Sequence, residues 1–525
     1  MKRKVWAGCL LGAALLGGII WTAAPAPHTL STSVSSPGEI RFAISTDTPT
    51  SMPGNVLRNG YTDEILANVV ESLVALKGDL SIGPMLADSW SISPDGKRYT
   101  FHLRHGVLFQ NGTPMTSADV KWSYDYLMKS KSGFVCRGYY NGRSGPKVLS
   151  VTTPDAETVV FDLSRPSALF LNRMVERRCP LAILSPSSVD SAGNWLAPVA
   201  TGPFIFGDWK KGQYVVLKPF TGYKPRSEPY SGMAGAKRAE ADVRFVVIPD
   251  EAAQLSALLS GQIDMVKVSM SDLPPSSPAW HLLTGPGADP AAILMQTRDP
   301  MLADVRMRRA IALAVDLPGV VKAVTDGRSP YNPSLTPDGD ALHTPEDAVG
   351  YTRRMDEVKR LLAQVGYKGQ PLTLETSHNT PHIFTAAIYM QSLLAQAGIT
   401  VKLRVVEWAK QINDYRSGKF QLMSFGYSAR IEPSLMYGDV LGKKDENPMV
   451  QWENPKALAL LESLENVTDQ NQRSKVFAQL HAMMLADVPM IVLNDTPDVT
   501  LVSSHVHGMG TWPLGMKRFF NVTKD

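Results

Sequence analysis

Four residues that follow predicted strands carry most of the recognition chemistry in this sequence: His378, Trp408, Tyr427 and Arg430. A tryptophan offers a flat apolar face that can cover a ligand, and an arginine offers a planar fork for carboxylate or phosphate. The plainer alternative has Trp408 capping a core and Arg430 paired with Glu432 at the surface. Thr46 follows an earlier strand, Ile40 to Ile44, and could face the same space. The loop Gly133 to Arg143 gathers Arg137, Tyr139, Tyr140 and Arg143 beside Cys136. Tyr and Arg are common anchors of recognition surfaces, although such a loop can equally be packed away.

Catalytic motifs are missing. There is no Gly-x-Ser-x-Gly, His-Glu-x-x-His, phosphate-binding loop or dinucleotide glycine fingerprint. His378 and His382 are four apart, but Pro381 spoils the helix that would align them on a metal. The reading is therefore no catalytic residue, no metal and no cofactor. Cys136 and Cys179 suggest one disulfide in an oxidising compartment, the alternative being two buried thiols.

The chain has 525 residues, enough for about three or four domains, with 44% hydrophobic and 19% charged residues. Its net charge is +4, of which Lys2, Arg3 and Lys4 supply three units, so the rest is nearly neutral and nucleic acid is not an expected partner. Val5 to Ala24 carry no charge, and small residues follow up to Pro27. This is the layout of a secretory leader over residues 1–27, the alternative being an uncleaved membrane anchor.

Two styles of structure must position the candidate residues. The early half reads as strands and hairpins. Ser93-Pro94-Asp95-Gly96 is a turn, after which Tyr99, Phe101 and Leu103 alternate with polar residues. Thr116 to Asp119 forms a capping box that opens a helix with Val120, Tyr124 and Leu127 inward. The later half alternates strand and helix. Leu372 to Thr376 leads into a helix Ile383 to Ala397, stopped by Gly398. A strand from Ile399 to Val405, a helix Trp408 to Ser417 and a strand Phe420 to Phe425 follow. That order implies a largely parallel sheet, and ligands collect outside the carboxyl ends of such strands, where His378, Trp408, Tyr427 and Arg430 arrive.

A family resemblance rests on a longer run. Leu86-Ala87-Asp88-Ser89-Trp90, Ser93-Pro94-Asp95-Gly96-Lys97, Tyr99 to Arg104, Asn111-Gly112-Thr113-Pro114 and Ala118-Asp119-Val120 follow in order. Thr201-Gly202-Pro203-Phe204, Leu258 to Asp264, Asp304-Val305-Arg306 and Ala397-Gly398-Ile399 continue it. The chain resembles the extracellular solute-binding proteins of peptide and nickel ABC importers. The resemblance implies an α/β, two-lobed periplasmic-binding-protein-like fold of type II, with mixed sheets, flanking helices and an extra subdomain. Lobe I would comprise 38–268 plus 490–525, with the subdomain at about 50–190, and lobe II 269–489. A hinge near Val268 and Pro489 would let the lobes close over a ligand.

The dipeptide binders of the family hold the peptide's amino group with an Asp shortly after a Gly-Trp pair. They hold its carboxylate with an Arg on the preceding strand's loop. Here Gly426-Tyr427 replaces Gly-Trp, Arg430 stands about where the Asp belongs, and no arginine lies between Pro371 and Pro381. The resemblance then implies a periplasmic, monomeric binding protein for a small peptide or anionic metabolite, delivering it to ABC permease subunits. The expected ligand-binding residues are Thr46, Arg137, Tyr139, Tyr140, His378, Trp408, Tyr427 and Arg430. A nickel-chelate carrier, an exported enzyme and a peptide chaperone are the alternatives.

Overall fold

The structure is a computed structural model that describes residues 38–46, 50–269, 273–378, 381–467 and 469–525. The expected leader lies outside these residues. Among them, no helix is long and apolar enough to cross a membrane.

Alternating apolar residues build one mixed sheet of ten strands. At one end Val401–Val405, Leu372–Thr376 and Leu422–Gly426 run parallel, as the strand-helix alternation requires. The edge strand Val401–Val405 turns only part of its apolar set inward, since Val405 is 44% exposed. At the other end Ile40–Ile44 lies parallel to Val243–Val247, followed by the hairpin strands Tyr214–Pro219 and Phe204–Lys210. Helices stop where their sequence says: Gly398, at φ +80°, follows Pro381–Gln396 in a conformation that favours glycine.

Two long antiparallel strands join the two ends, Trp280–Met295 and Met490–Ser503. One half of their ladder, Trp280 to Gly285 with Asp498 to Ser503, lies on the side of Met265–Lys267. The other half, Ala291 to Leu294 with Met490 to Asn494, lies beside Leu422–Gly426. Between them the register shifts, from Gly285 opposite Asp498 to Asp289 opposite Thr496. Extra residues in one strand weaken the ladder locally and add twist. A Cβ at Gly287 would lie 1.6 Å from the Thr496 carbonyl oxygen, so only glycine permits this approach.

A second, antiparallel sheet of four strands carries its own core. It contains Ala87–Ile92, Arg98–Leu103, Val148–Asp155 and Thr158–Leu163. The helix Ser117–Met128 packs on it, with Val120 and Leu127 fully buried and Tyr124 half-buried. Asp119 closes its first turn by accepting from the Thr116 N–H at 2.8 Å.

Candidate functional site

Two cavities share Arg177 as a lining residue. The smaller, about 60 Å³, is mostly apolar, lined by Leu66, Val70, Met85, Met233 and Trp512 among others, with Asp63 and Glu176 also in its wall. The larger, about 220 Å³, lies at the strand crossing and is polar, lined by Lys267, Asp289, Thr496 and Asp498 besides Arg177.

One wall of this region is the turn Glu176 to Cys179. The disulfide Cys136–Cys179 ties it to the short 3-10 helix Val135–Tyr139. Glu176 is fully buried, and its Oε1 accepts from Arg178 Nε at 3.4 Å, while Oε2 has no hydrogen-bond partner. Arg58 pairs with Asp63. Burial pushes the Asp63 carboxyl up to about 7, against the opposing pull of Arg58, Arg177 and Arg178. The Arg177 guanidinium donates no hydrogen bond to a described residue. Its Nη1 is buried, and its nearest ion partner is Asp289 at 3.8 Å.

The facing wall runs from Tyr427 to Asp439. Tyr427 is 6% exposed and stacks edge-on against Phe425 and Tyr415. Its N–H donates to Pro290 O, and Ala429 N–H donates to Asp289 Oδ1, which fastens this wall to the strand crossing. Arg430 is 9% exposed: it pairs with Asp439 and donates from Nη1 to Ser428 O at 2.7 Å and Ala429 O at 3.2 Å, while its Nε has no hydrogen-bond partner. Its partner is therefore Asp439; Glu432 instead caps the helix Pro433–Val440 and pairs with buried Arg473.

The expected residues separate into groups. Tyr139 is half-buried with the Arg173 guanidinium 5.8 Å from its ring, and burial raises its hydroxyl to about 12. Arg137 is half-buried on the same 3-10 helix. Tyr140 belongs to the core. It is 1% exposed and its hydroxyl donates to Arg173 O at 2.9 Å, because the disulfide turn folds it under Tyr124 and Phe170. Trp408 is half-buried and stacks on Phe425 at 6.0 Å, much as the plainer reading had it. His378 is exposed with its ring 4.1 Å from that of Phe384, and Thr46 is exposed just past its strand. Among the described residues, no group of three or more His, Cys, Asp or Glu could hold a metal ion.

Sequence reasoning missed Glu176, Arg177, Asp63, Asp289 and Asp439. The dense run Glu176-Arg177-Arg178 next to Cys179 was a usable signal. Asp289 and Asp439 carry none, because only the folded register brings them to these partners.

The two halves of the chain also touch beyond these walls. Glu465 accepts from Ser167 Oγ at 3.0 Å and pairs with Arg173, which is 2% exposed. Its backbone carbonyl accepts from Ala168 N–H at 2.7 Å. An apolar cluster joins Ala67, Leu76, Trp512 and Leu514 with Ala429 and Ile431. The two halves are thus in contact in this structure.

Residues 81–447 match the family described as bacterial extracellular solute-binding proteins, family 5. The chain is 26% identical over 468 residues to the probable D,D-dipeptide-binding periplasmic protein DdpA of Escherichia coli K12, covering 85% of each. It is 25% identical over 490 residues to heme-binding protein A of Haemophilus influenzae, covering 86% of this chain and 85% of that one. Among solved structures it is similar to the periplasmic binding protein DppA of Helicobacter pylori in complex with peptide STSA. That match has a TM-score of 0.75 and 25% identity, covering 93% of this chain and 98% of the other.

Proposed function

The chain belongs to family 5 of the bacterial extracellular solute-binding proteins, and from that premise we propose that it is the substrate-binding component of an ABC importer. In this reading it is an exported, periplasmic monomer. It captures a small peptide, peptide-like molecule or other carboxylate-bearing metabolite and presents it to a membrane permease without chemical change. The observation that carries the reading is the strand crossing. Among the described residues, two continuous strands with a shifted register join the sheet's two ends there, and the polar cavity lies against that joint.

Such an arrangement closes when a ligand makes more contacts in the closed state than in the open one. We place the hinge at Gly285 to Asp289 and Thr496 to Asp498. The lobe boundaries then move from the neighbourhood of Val268 and Pro489 to those positions. The four-stranded sheet and its core support an inserted subdomain in the first lobe. In this reading Tyr139, Glu176 and Arg177 meet the ligand from the first lobe, and Trp408 and Arg430 support the second lobe's wall.

The test is to purify the mature protein, release and identify what co-purifies by mass spectrometry, and follow small-angle scattering as ligand returns. Stoichiometric binding of unaltered ligand with compaction is expected. Turnover of the ligand, or a profile that no ligand from a dipeptide and tripeptide library or the released material changes, overturns the reading.

A further inference from the structure

We propose that Arg177 is the anion anchor of the cleft, and that the ligand is a compact amphipathic carboxylate whose apolar part enters the first-lobe cavity. This rests on the binding-protein reading above and deepens it. Five cations of this region are already spent. Arg430 is committed to Asp439 and to two carbonyls. Lys267 donates to Glu64 at 3.0 Å and to Gly515 O at 3.2 Å, and Lys517 is paired with Asp498. Arg58 has Asp63, and Arg178 has Glu176. Arg177 alone of these six guanidinium and ammonium groups donates no hydrogen bond to a described residue.

A buried guanidinium N–H without an acceptor carries an uncompensated desolvation cost, which a ligand acceptor would recover on binding. The planar fork of arginine matches a carboxylate with two parallel bonds, more strongly than a neutral acceptor. The location supplies the rest of the ligand's description. Arg177 is the residue common to the apolar and the polar cavity, so a molecule anchored there has Leu66, Val70, Met85, Met233 and Trp512 on one side. Its polar remainder faces Lys267, Thr496 and Asp498 on the other. Glu176, with one carboxylate oxygen unpartnered in the same wall, favours a ligand that also carries an N–H donor. Asp289, the present neighbour of Arg177, already accepts from Ala429 N–H, so it loses little when a ligand carboxylate takes the guanidinium.

The test uses two probes that differ only at the acid group, leucyl-leucine and leucyl-leucinamide, titrated calorimetrically into the full mature protein. Wild type is expected to prefer the acid by roughly 30-fold, the scale of a charge-assisted pair. Arg177→Gln should abolish that preference, and Arg177→Lys, which keeps the charge without the fork, should fall between. Unfolding curves of both variants check that they are folded. Equal binding of acid and amide by wild type, or a preference that survives Arg177→Gln, overturns the anchor while leaving a binding protein in place. Absence of heat from both probes overturns the proposed ligand class. Failure of the parent reading shows differently, as scattering that no ligand changes.

Discussion

The two walls of the cleft hold their charges in different ways. Along Tyr427 to Asp439 the one buried cation, Arg430, has an ion partner and two carbonyl acceptors and leaves its Nε without a hydrogen-bond partner, so its charge is neutralised before any ligand arrives. Along Glu176 to Cys179 the backbone is tied by a disulfide, yet a carboxylate oxygen of Glu176 and a guanidinium nitrogen of Arg177 lack hydrogen-bond partners. A wall that must offer unsatisfied groups needs its rigidity from elsewhere, since those groups contribute nothing to holding it. The covalent staple answers that need on one side, and the satisfied ion pair answers it on the other.

Removing the staple should have the largest effect. The bridge closes a separation of 43 residues. On the chain-entropy model that stabilises the fold by about 4 kcal/mol. The double variant Cys136→Ser, Cys179→Ser should lose most of this in urea denaturation and should weaken ligand binding as well, because Arg177 and Glu176 lie on the released turn. A loss under about 1 kcal/mol would mean that packing around Phe134, and not the bridge, holds the wall.

Next comes Arg430→Gln, which leaves Asp439 without its cation. Breaking a buried pair costs roughly 3–5 kcal/mol, and Asp439 is 25% exposed, so about 2 kcal/mol is expected. Arg177→Gln should cost less than about 1 kcal/mol, since no hydrogen bond is lost. Equal losses in the two variants would erase the distinction between the walls. Glu465→Gln touches the contact between the two halves of the chain. It weakens the charged partner of Arg173 and should favour opening by about 1.4 kcal/mol, roughly tenfold, read from spin-label distances across the cleft.

How far the sequence reaches follows the same division. Periodicity located Leu372–Thr376 and Trp408–Ser417 to the residue, and turn chemistry located Gly96, because each depends on neighbours close in the chain. The lobed architecture was legible through the ordered run from Leu86 to Val120. Arg430 was legible as a cation at a strand's end, but not as a spent one, since Asp439 lies a helix away. Arg177 and Asp289 are 112 positions apart and meet only through the ten-stranded sheet's register, which no local pattern encodes. Gly287 was equally silent, its need set by the Thr496 carbonyl across the ladder.

The smallest expected effect is a slope with pH. Asp63, beside Arg58, Arg177 and Arg178 in the first wall, is raised by burial from 3.8 to about 7. Between those values the folded chain keeps a proton that the unfolded chain has released. Stability from this group is therefore fully present below about 4, falls as pH rises toward 7, and is flat above; one group contributes at most about 1.4 kcal/mol per pH unit. Asp495, buried near the strand crossing and raised to about 7, slopes the same way, as does Glu375, also raised to about 7. Burial lowers His382 to about 4, which acts in the opposite sense below about 6.5, but this cancels when wild type is compared with a variant. Asp63→Asn fixes an uncharged side chain, so urea unfolding at pH 5 and pH 8 should differ less in the variant than in wild type, without the difference vanishing. An unchanged difference would mean that Asp63 is already ionised in the folded chain at pH 5, held so by Arg58, and that the first wall is better paired than its geometry indicates.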